Sequence, residues 1–382
     1  MHTRVRMAGT GATFVILAQL ILASPVRGVD APATVTADMP SAVPAGRNWA
    51  FNDFFPRTVT VRTGADLQFI NQGFHTLTLL TSGTTAKQDQ HANGLALNDT
   101  DDTTRNLNGT THAVLNNAAL GPTSTTCGAP TAPCSFDGSA VVSSGVPAGP
   151  PAPFVVHVAA SPGTYVFLCR VHAGMTGKLK VVAASAEVPS DSAVQHRIAQ
   201  QVARDVRGAW AADRRASQDA EVEHERSRTW RVIAGTSSED GKVALLEFLP
   251  KSLDIQTGDR VVFVPRSPNE PHTVTFPVDT GNEFVPLCEA GAIDVALGPT
   301  GCNFGPPDEV ELDGGNGVRH ITSPSTASDS GIIGARRLTS DIGLARTAIL
   351  NRWSVSFAGA SAGTYTYVCM IHPGMDATIT VH

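Results

Sequence analysis

The chain contains the same strand pattern twice. Phe55-Pro56-Arg57-Thr58-Val59-Thr60-Val61-Arg62-Thr63-Gly64 returns as Leu249-Pro250-Lys251-Ser252-Leu253-Asp254-Ile255-Gln256-Thr257-Gly258. Both copies alternate apolar and polar residues, the period of a strand with one face buried and the other wet. Each turns at its glycine and resumes as a second strand, Leu67 to Ile70 in one copy and Val261 to Val264 in the other. The halves also close alike. Phe154-Val155-Val156-His157-Val158 corresponds to Trp353-Ser354-Val355-Ser356-Phe357, and Gly163-Thr164-Tyr165-Val166-Phe167-Leu168-Cys169 to Gly363-Thr364-Tyr365-Thr366-Tyr367-Val368-Cys369. A short closing strand follows in each, Gly177 to Val182 and Ala377 to Val381. Many short alternating strands separated by turns predict an all-β chain, with one antiparallel β-sandwich in each half.

The segment between the halves is of another kind. From Ser190 to about Glu225 it holds no proline and one glycine. Val194, Ile198, Val202, Val206 and Trp210 recur every fourth residue, which draws one apolar stripe along a helix. Such a stripe either packs on a neighbouring domain or joins chains into an oligomer. Packing is the ordinary role of a narrow stripe and is the reading adopted. The expected organisation is thus a first domain over residues 29–183, a helical linker over 184–228 and a second domain over 229–382.

Residues 1–28 read as an export signal. Arg4 and Arg6 precede an apolar run, Ala12 to Ala23, that is too short to span a bilayer, and Val26 and Gly28 suit a cleavage site. The alternative, an uncleaved anchor, fits that length less well. No later segment is long and apolar enough to span a membrane, so the expected location is periplasmic or secreted. A net charge of −6 gives no basic footprint for nucleic acid.

Six cysteines in an exported chain call for sorting. Cys127 with Cys134, and Cys288 with Cys302, form a near pair in each half, and local disulfides are the simplest connectivity. The other two open a repeated Cys-x2-His-x2-Met motif: Cys169, His172 and Met175, then Cys369, His372 and Met375. A type 1 (blue) copper site needs one thiolate and two imidazoles near a plane, with a distant axial thioether. One short loop after a strand can supply three of these donors. His75 and His272 are the candidates for the fourth, since each follows the second strand of its half and opens a matching run, His75-Thr76-Leu77-Thr78-Leu79 and His272-Thr273-Val274-Thr275-Phe276. A lone Cys-x2-His would equally suit structural zinc. The complete donor set, twice and in the same order, points to copper. Met175 and Met375 have a second reading, as fillers of a core gap. The histidines His91, His112, His157, His196, His224, His320 and His382 lack paired spacing and read as solvated.

With these residues in view, the chain resembles the plastocyanin/azurin (cupredoxin) family, and its ligand loop is similar in length to that of amicyanin. That family takes its first histidine from just after a strand such as Phe69-Ile70-Asn71, and the other ligands from the last loop. Pro373 matches the usual residue after the second histidine; Ala173 departs from it. The resemblance implies two Greek-key sandwiches, two type 1 copper ions per chain, and one-electron exchange with redox protein partners. It covers the domain ends. Between first histidine and cysteine each half carries a large insertion, which holds the cysteine pair and a Leu-Gly-Pro-Thr stretch, Leu120 to Thr123 and Leu297 to Thr300.

Two-domain nitrite reductases and small laccases also pair such domains, but they place a histidine directly beside the ligand cysteine. Here Leu168 and Val368 stand there, with Arg170 and Met370 on the far side, and no His-x-His pair occurs. An electron carrier is expected rather than an enzyme, with copper storage or delivery as the second reading. The small apolar loops beside His172 and His372 suit weak, transient docking.

Overall fold

Alternation along the repeats becomes alternation of burial. Thr58–Arg62 turns Val59 and Val61 inward and Thr58 outward, and Ser252–Ile255 does the same with Leu253 and Ile255. The computed structural model describes residues 32–94, 96–97, 113–115, 117–147, 152–221, 228–278, 303–304, 318–330, 333–334 and 351–382. The export segment predicted over 1–28, and the pair Cys288 and Cys302, lie outside these residues.

In the first half the strands make two sheets. One runs in the order Phe54–Phe55, Ala33–Ala37, Asp66–Asn71, Phe154–Val158, Cys134–Phe136. The other runs Val142–Ser143, Thr78–Leu79, Gly163–Leu168, Thr176–Val182, Thr58–Arg62. Their inward residues share one core: Val35, Leu67 and Phe69 from the first sheet, and Val61, Phe167 and Leu179 from the second. Phe54 meets Phe167 edge to face at 4.9 Å between ring centroids. Each such buried Leu or Phe contributes about 1.5–3 kcal/mol.

The second half repeats the plan. Its first sheet runs Trp49–Phe51, Val243–Leu249, Thr229–Ser237, Arg260–Val264, Trp353–Ser356, Val318–His320. Its second runs Ser252–Ile255, Asp376–Val381, Gly363–Val368, Thr275–Phe276, Ser328–Asp329. Phe248, Phe263 and Phe276 surround Tyr367 at the centre.

One strand crosses over. Trp49–Phe51, which the sequence places in the first half, is hydrogen-bonded into the second half's sheet, with Phe51 opposite Val243, Ala50 opposite Ala244 and Trp49 opposite Leu245. The insertions also meet, because Ala113–Leu115 pairs with both Ala96–Leu97 and Asn303–Phe304. Cys127 and Cys134 are disulfide-bonded as expected, which ties the first insertion to the edge of its sheet.

Among the described residues there are three α-helices. Helix α1, Ala86–Asn93, starts on a capping box in which Thr85 Oγ1 accepts from the Gln88 N–H and the Gln88 side chain accepts from the Thr85 N–H. Helix α2 is the short Asn117–Leu120. Helix α3, Asp191–Glu221, is the predicted linker helix and spans 31 residues, or about 46 Å at 1.5 Å per residue. Its stripe is covered within the chain. Ile198, Val202, Val206 and Trp210 pack on Trp49, Phe51 and Phe55 from one half and on Val243 and Leu245 from the other. Packing was the expected role, but the helix rests on both halves rather than on one domain. No helix among the described residues is long and apolar enough to cross a membrane.

Candidate metal centre

Each cysteine follows directly on the last residue of a central strand, Leu168 in one half and Val368 in the other. The next residues fold back at once. The Cys169 N–H donates to Met175 O at 3.0 Å, and the Met175 N–H to His172 O at 3.2 Å. The second loop repeats this closure at 2.9 and 3.2 Å. The return needs the left-handed backbone of Gly174 and Gly374, with φ of 81° and 74°.

The first histidine comes from a neighbouring segment held just as firmly. Asn71 Nδ2 donates to His75 O, the Leu77 N–H to Ser144 Oγ, and the Val274 N–H to Ser330 Oγ. The Thr76 N–H donates to Cys169 Sγ at 3.3 Å, and the Thr273 N–H to Cys369 Sγ at 3.4 Å. In return, Thr76 Oγ1 accepts from the Arg170 N–H, and Thr273 Oγ1 from the Met370 N–H. In both halves the residue after the first histidine therefore fixes the cysteine on both sides.

The donors converge. Cys169 Sγ stands 3.9 Å from His75 Nδ1 and 3.6 Å from His172 Nδ1. Cys369 Sγ stands 3.9 Å from His272 Nδ1 and 3.5 Å from His372 Nδ1. Within each group all ligand atoms lie within 4.8 Å of one another. Donors about 2.0–2.3 Å from a shared ion and about 120° apart stand about 3.5–3.8 Å from each other. The sulfur–nitrogen separations of both groups come close to this, as one thiolate and two imidazoles around a metal require. His75 Nδ1 and His172 Nδ1 of the first group stand closer, at 2.9 Å. Both cysteines, His75 and His272 are fully or almost fully buried, as are Met175 and Met375, which share the core of their own cysteine.

Electrostatics favour the thiolate at both cysteines. Burial alone would raise both thiols. The neighbouring imidazoles, His172 and His75 for Cys169, and His372 and His272 for Cys369, instead hold them well below the ordinary thiol range. The thiolate is the form that binds metal. Burial lowers His272, consistent with a neutral imidazole donor. Burial also opposes charge on His372, but the Cys369 thiolate and the Glu270 carboxylate raise it to about 10.

Several supporting residues escaped the sequence reading. Gln90 of α1 donates to the carbonyls of Cys169 and His172 and accepts from the Gly174 N–H, and Asp89 takes a two-pronged bond from Arg170. The first insertion thus clamps the first ligand loop. The halves clamp each other's loops as well: Asn48 Nδ2 donates to Pro373 O, and Lys242 Nζ to Gly174 O. Glu270 lies against both His172 and His372. Its one sequence signal is an acid two residues before His272, where the other copy has Gly73 before His75.

Each ligand loop thus has a contact from the opposite half, and His172 and His372 expose 11% and 12% of their side chains. His157 and His382 are exposed and bonded to Asp66 and Asp254, as solvated histidines should be. His112 and His224 lie outside the described residues.

No protein-family model and no curated protein sequence matches the chain. Among solved structures, a reduced Cu(I) form of an amicyanin point mutant aligns at 14% identity over 42% of this chain and 88% of its own, with a TM-score of 0.20. An oxidised amicyanin mutant gives the same values. A mutant plastocyanin of fern aligns at 15% identity over 40% of this chain and 99% of its own, with a TM-score of 0.19. Overlaps this low carry no weight; the donor set does.

Proposed function

We propose that the chain is a copper-binding electron-transfer protein with one type 1 copper site in each half, acting in the periplasm or outside the cell. Two His/Cys/His groups with ligand atoms inside 4.8 Å, each with a buried methionine beside its cysteine, support this reading above all else. His75, Cys169, His172 and Met175 would hold one ion, and His272, Cys369, His372 and Met375 the other. When bound, copper supplies a one-electron Cu(I)/Cu(II) couple.

The chain does the rest. It presents each thiolate already desolvated and gives each sulfur a backbone N–H. A carrier is favoured over an enzyme because Leu168 and Val368, both buried, flank the cysteines where a catalytic site would need a histidine. The two halves correspond to Greek-key sandwich domains of cupredoxin type joined by α3, and the partners are other redox proteins.

Copper-loaded protein should be intensely coloured by thiolate-to-copper absorption, with two coppers per chain. Cys169→Ala and Cys369→Ala should each remove one centre and keep the other. Full copper loading without colour, or sustained turnover of nitrite or of a phenol with dioxygen, would sink the reading.

A further inference from the structure

One side chain joins the two groups. Glu270 Oε1 lies 3.4 Å from His172 Nε2 of the first group, and its Oε2 lies 3.5 Å from His372 Nε2 of the second. Asn52 Nδ2, from the opposite half, donates to Oε1, and the Glu270 N–H donates to Ser267 Oγ. The Glu270 side chain is 8% exposed. A carboxylate at such depth is costly unless its oxygens are paired. Here each oxygen lies against an imidazole Nε2, and Oε1 also accepts from Asn52 Nδ2.

The orientation of the rings matters most. Both turn Nδ1 to their own cysteine and Nε2 to Glu270. The path Cys169–His172–Glu270–His372–Cys369 is therefore continuous, with no step longer than 3.6 Å. The repeat supplies two copies of each ligand but only one such acid, since Gly73 holds the corresponding place. One carboxylate serves both sites, and the least covered ligand edges face each other rather than solvent.

We infer that Glu270 is the bridge of a two-centre relay, through which one electron passes between the two sites inside a single chain along His172–Glu270–His372. This rests on the copper reading above. In the step, one copper goes from Cu(I) to Cu(II) as the other goes from Cu(II) to Cu(I). No bond to the protein breaks, and both Nε2 protons stay on their rings, bonded to the carboxylate. Because the same carboxylate orients both imidazoles, neither ring has to turn when the electron moves. A donor that reaches one site thereby fills the other.

The test uses the full copper-loaded chain. Met375→Leu alters one axial position and so sets the two potentials apart, making the centres distinguishable. A substoichiometric reducing pulse should then be followed by redistribution between the two blue bands, at a rate independent of protein concentration. Compared at equal copper loading, adding Glu270→Gln should slow that phase by about 10–100-fold, the ordinary cost of losing a carboxylate that orients ligand histidines. A second readout needs no electron transfer. In the diamagnetic Cu(I) protein the His172 and His372 Nε2–H signals should be protected from solvent exchange, and Glu270→Gln should expose them. If Glu270→Gln does not fold, Asn52→Ala, which removes the donor to Oε1, should slow the same phase. A redistribution rate proportional to protein concentration, or one unmoved by these substitutions, overturns the relay. Missing blue bands before any pulse would overturn the copper reading itself, which is a separate and visible failure.

Discussion

A methyl group on Gly235 would fall 1.9 Å from His272 Nε2, and the residue sits at φ +71°, where side chains are strained. His272 Nε2 has no hydrogen-bond partner among the described residues, so packing against this glycine holds the ring with Nδ1 toward Cys369. In the other half Gly73 backs His75, with a Cβ that would stand 2.9 Å from Nε2. Gly235→Ala should therefore weaken copper binding at the second site by about 10–100-fold and leave the first unchanged. A copper titration followed by the blue absorption of each site, assigned with the single Cys→Ala variants, measures this. Equal weakening at both sites would contradict it. The contrast between ligand and support explains what the sequence could show at this scale. Cys169, His172 and Met175 are recognisable because their spacing is local and chemical. Gly235 lies inside the strand Thr229–Ser237, and nothing nearby in the chain announces that His272 will come to rest on it.

Helix α3 was legible from its stripe, because a four-residue apolar period survives any tertiary arrangement. Its polar seam was not, since its partners sit far away along the chain. Arg57 reaches Asp53 and Asp205 together, and Gln201 donates to Asp53 Oδ2 and to Phe54 O. Two carboxylates thus share one guanidinium at a buried contact. Burial and the neighbouring Asp53 charge raise Asp205 to about 7, against the pull of Arg57. Its ordinary value is 3.8. Between those two pH values the folded chain keeps a proton that the unfolded chain has released. The folded state binds more protons there, so this carboxyl's contribution to stability falls as pH rises, by at most about 1.4 kcal/mol per pH unit. Asp205→Asn, neutral throughout, should flatten that slope between about pH 4 and about pH 7. Urea midpoints of both proteins, at equal copper loading across the window, give the difference. Parallel pH profiles for the two would show that Asp205 is ionised throughout.

At the scale of the molecule the repeat announces two copies but not how they meet. Their alignment puts Ala50 opposite Ala244 in sequence, and the structure pairs those same two residues across the junction, so each copy offers the other the same strand. The flanking contacts obey the same exchange: Asn48 bonds the second ligand loop and Glu247, while Lys242 bonds the first ligand loop and lies 3.9 Å from Asp53. This is the self-complementary contact of a two-fold dimer, built within one chain. Alternating residues such as Trp49-Ala50-Phe51 fit any strand, so their sequence does not name their partner. The consequence is cooperative unfolding. Trp49 stacks edge-on against Trp210 of α3 at 5.0 Å, Arg47 lies over both rings, and Val243 and Leu245 complete the same core. Neither half can open without exposing that core, so the copper-loaded chain should melt in a single calorimetric transition. Trp49→Ala removes a large buried ring and should cost about 3–5 kcal/mol. For a chain of this size that lowers the melting temperature by about 5 °C. The loss should fall on both halves together, with the two blue centres bleaching at one shared, lowered temperature. Two resolved transitions in the wild type, or a Trp49→Ala variant in which only one centre bleaches early, would mean that each half stands alone and that the junction is an accessory contact.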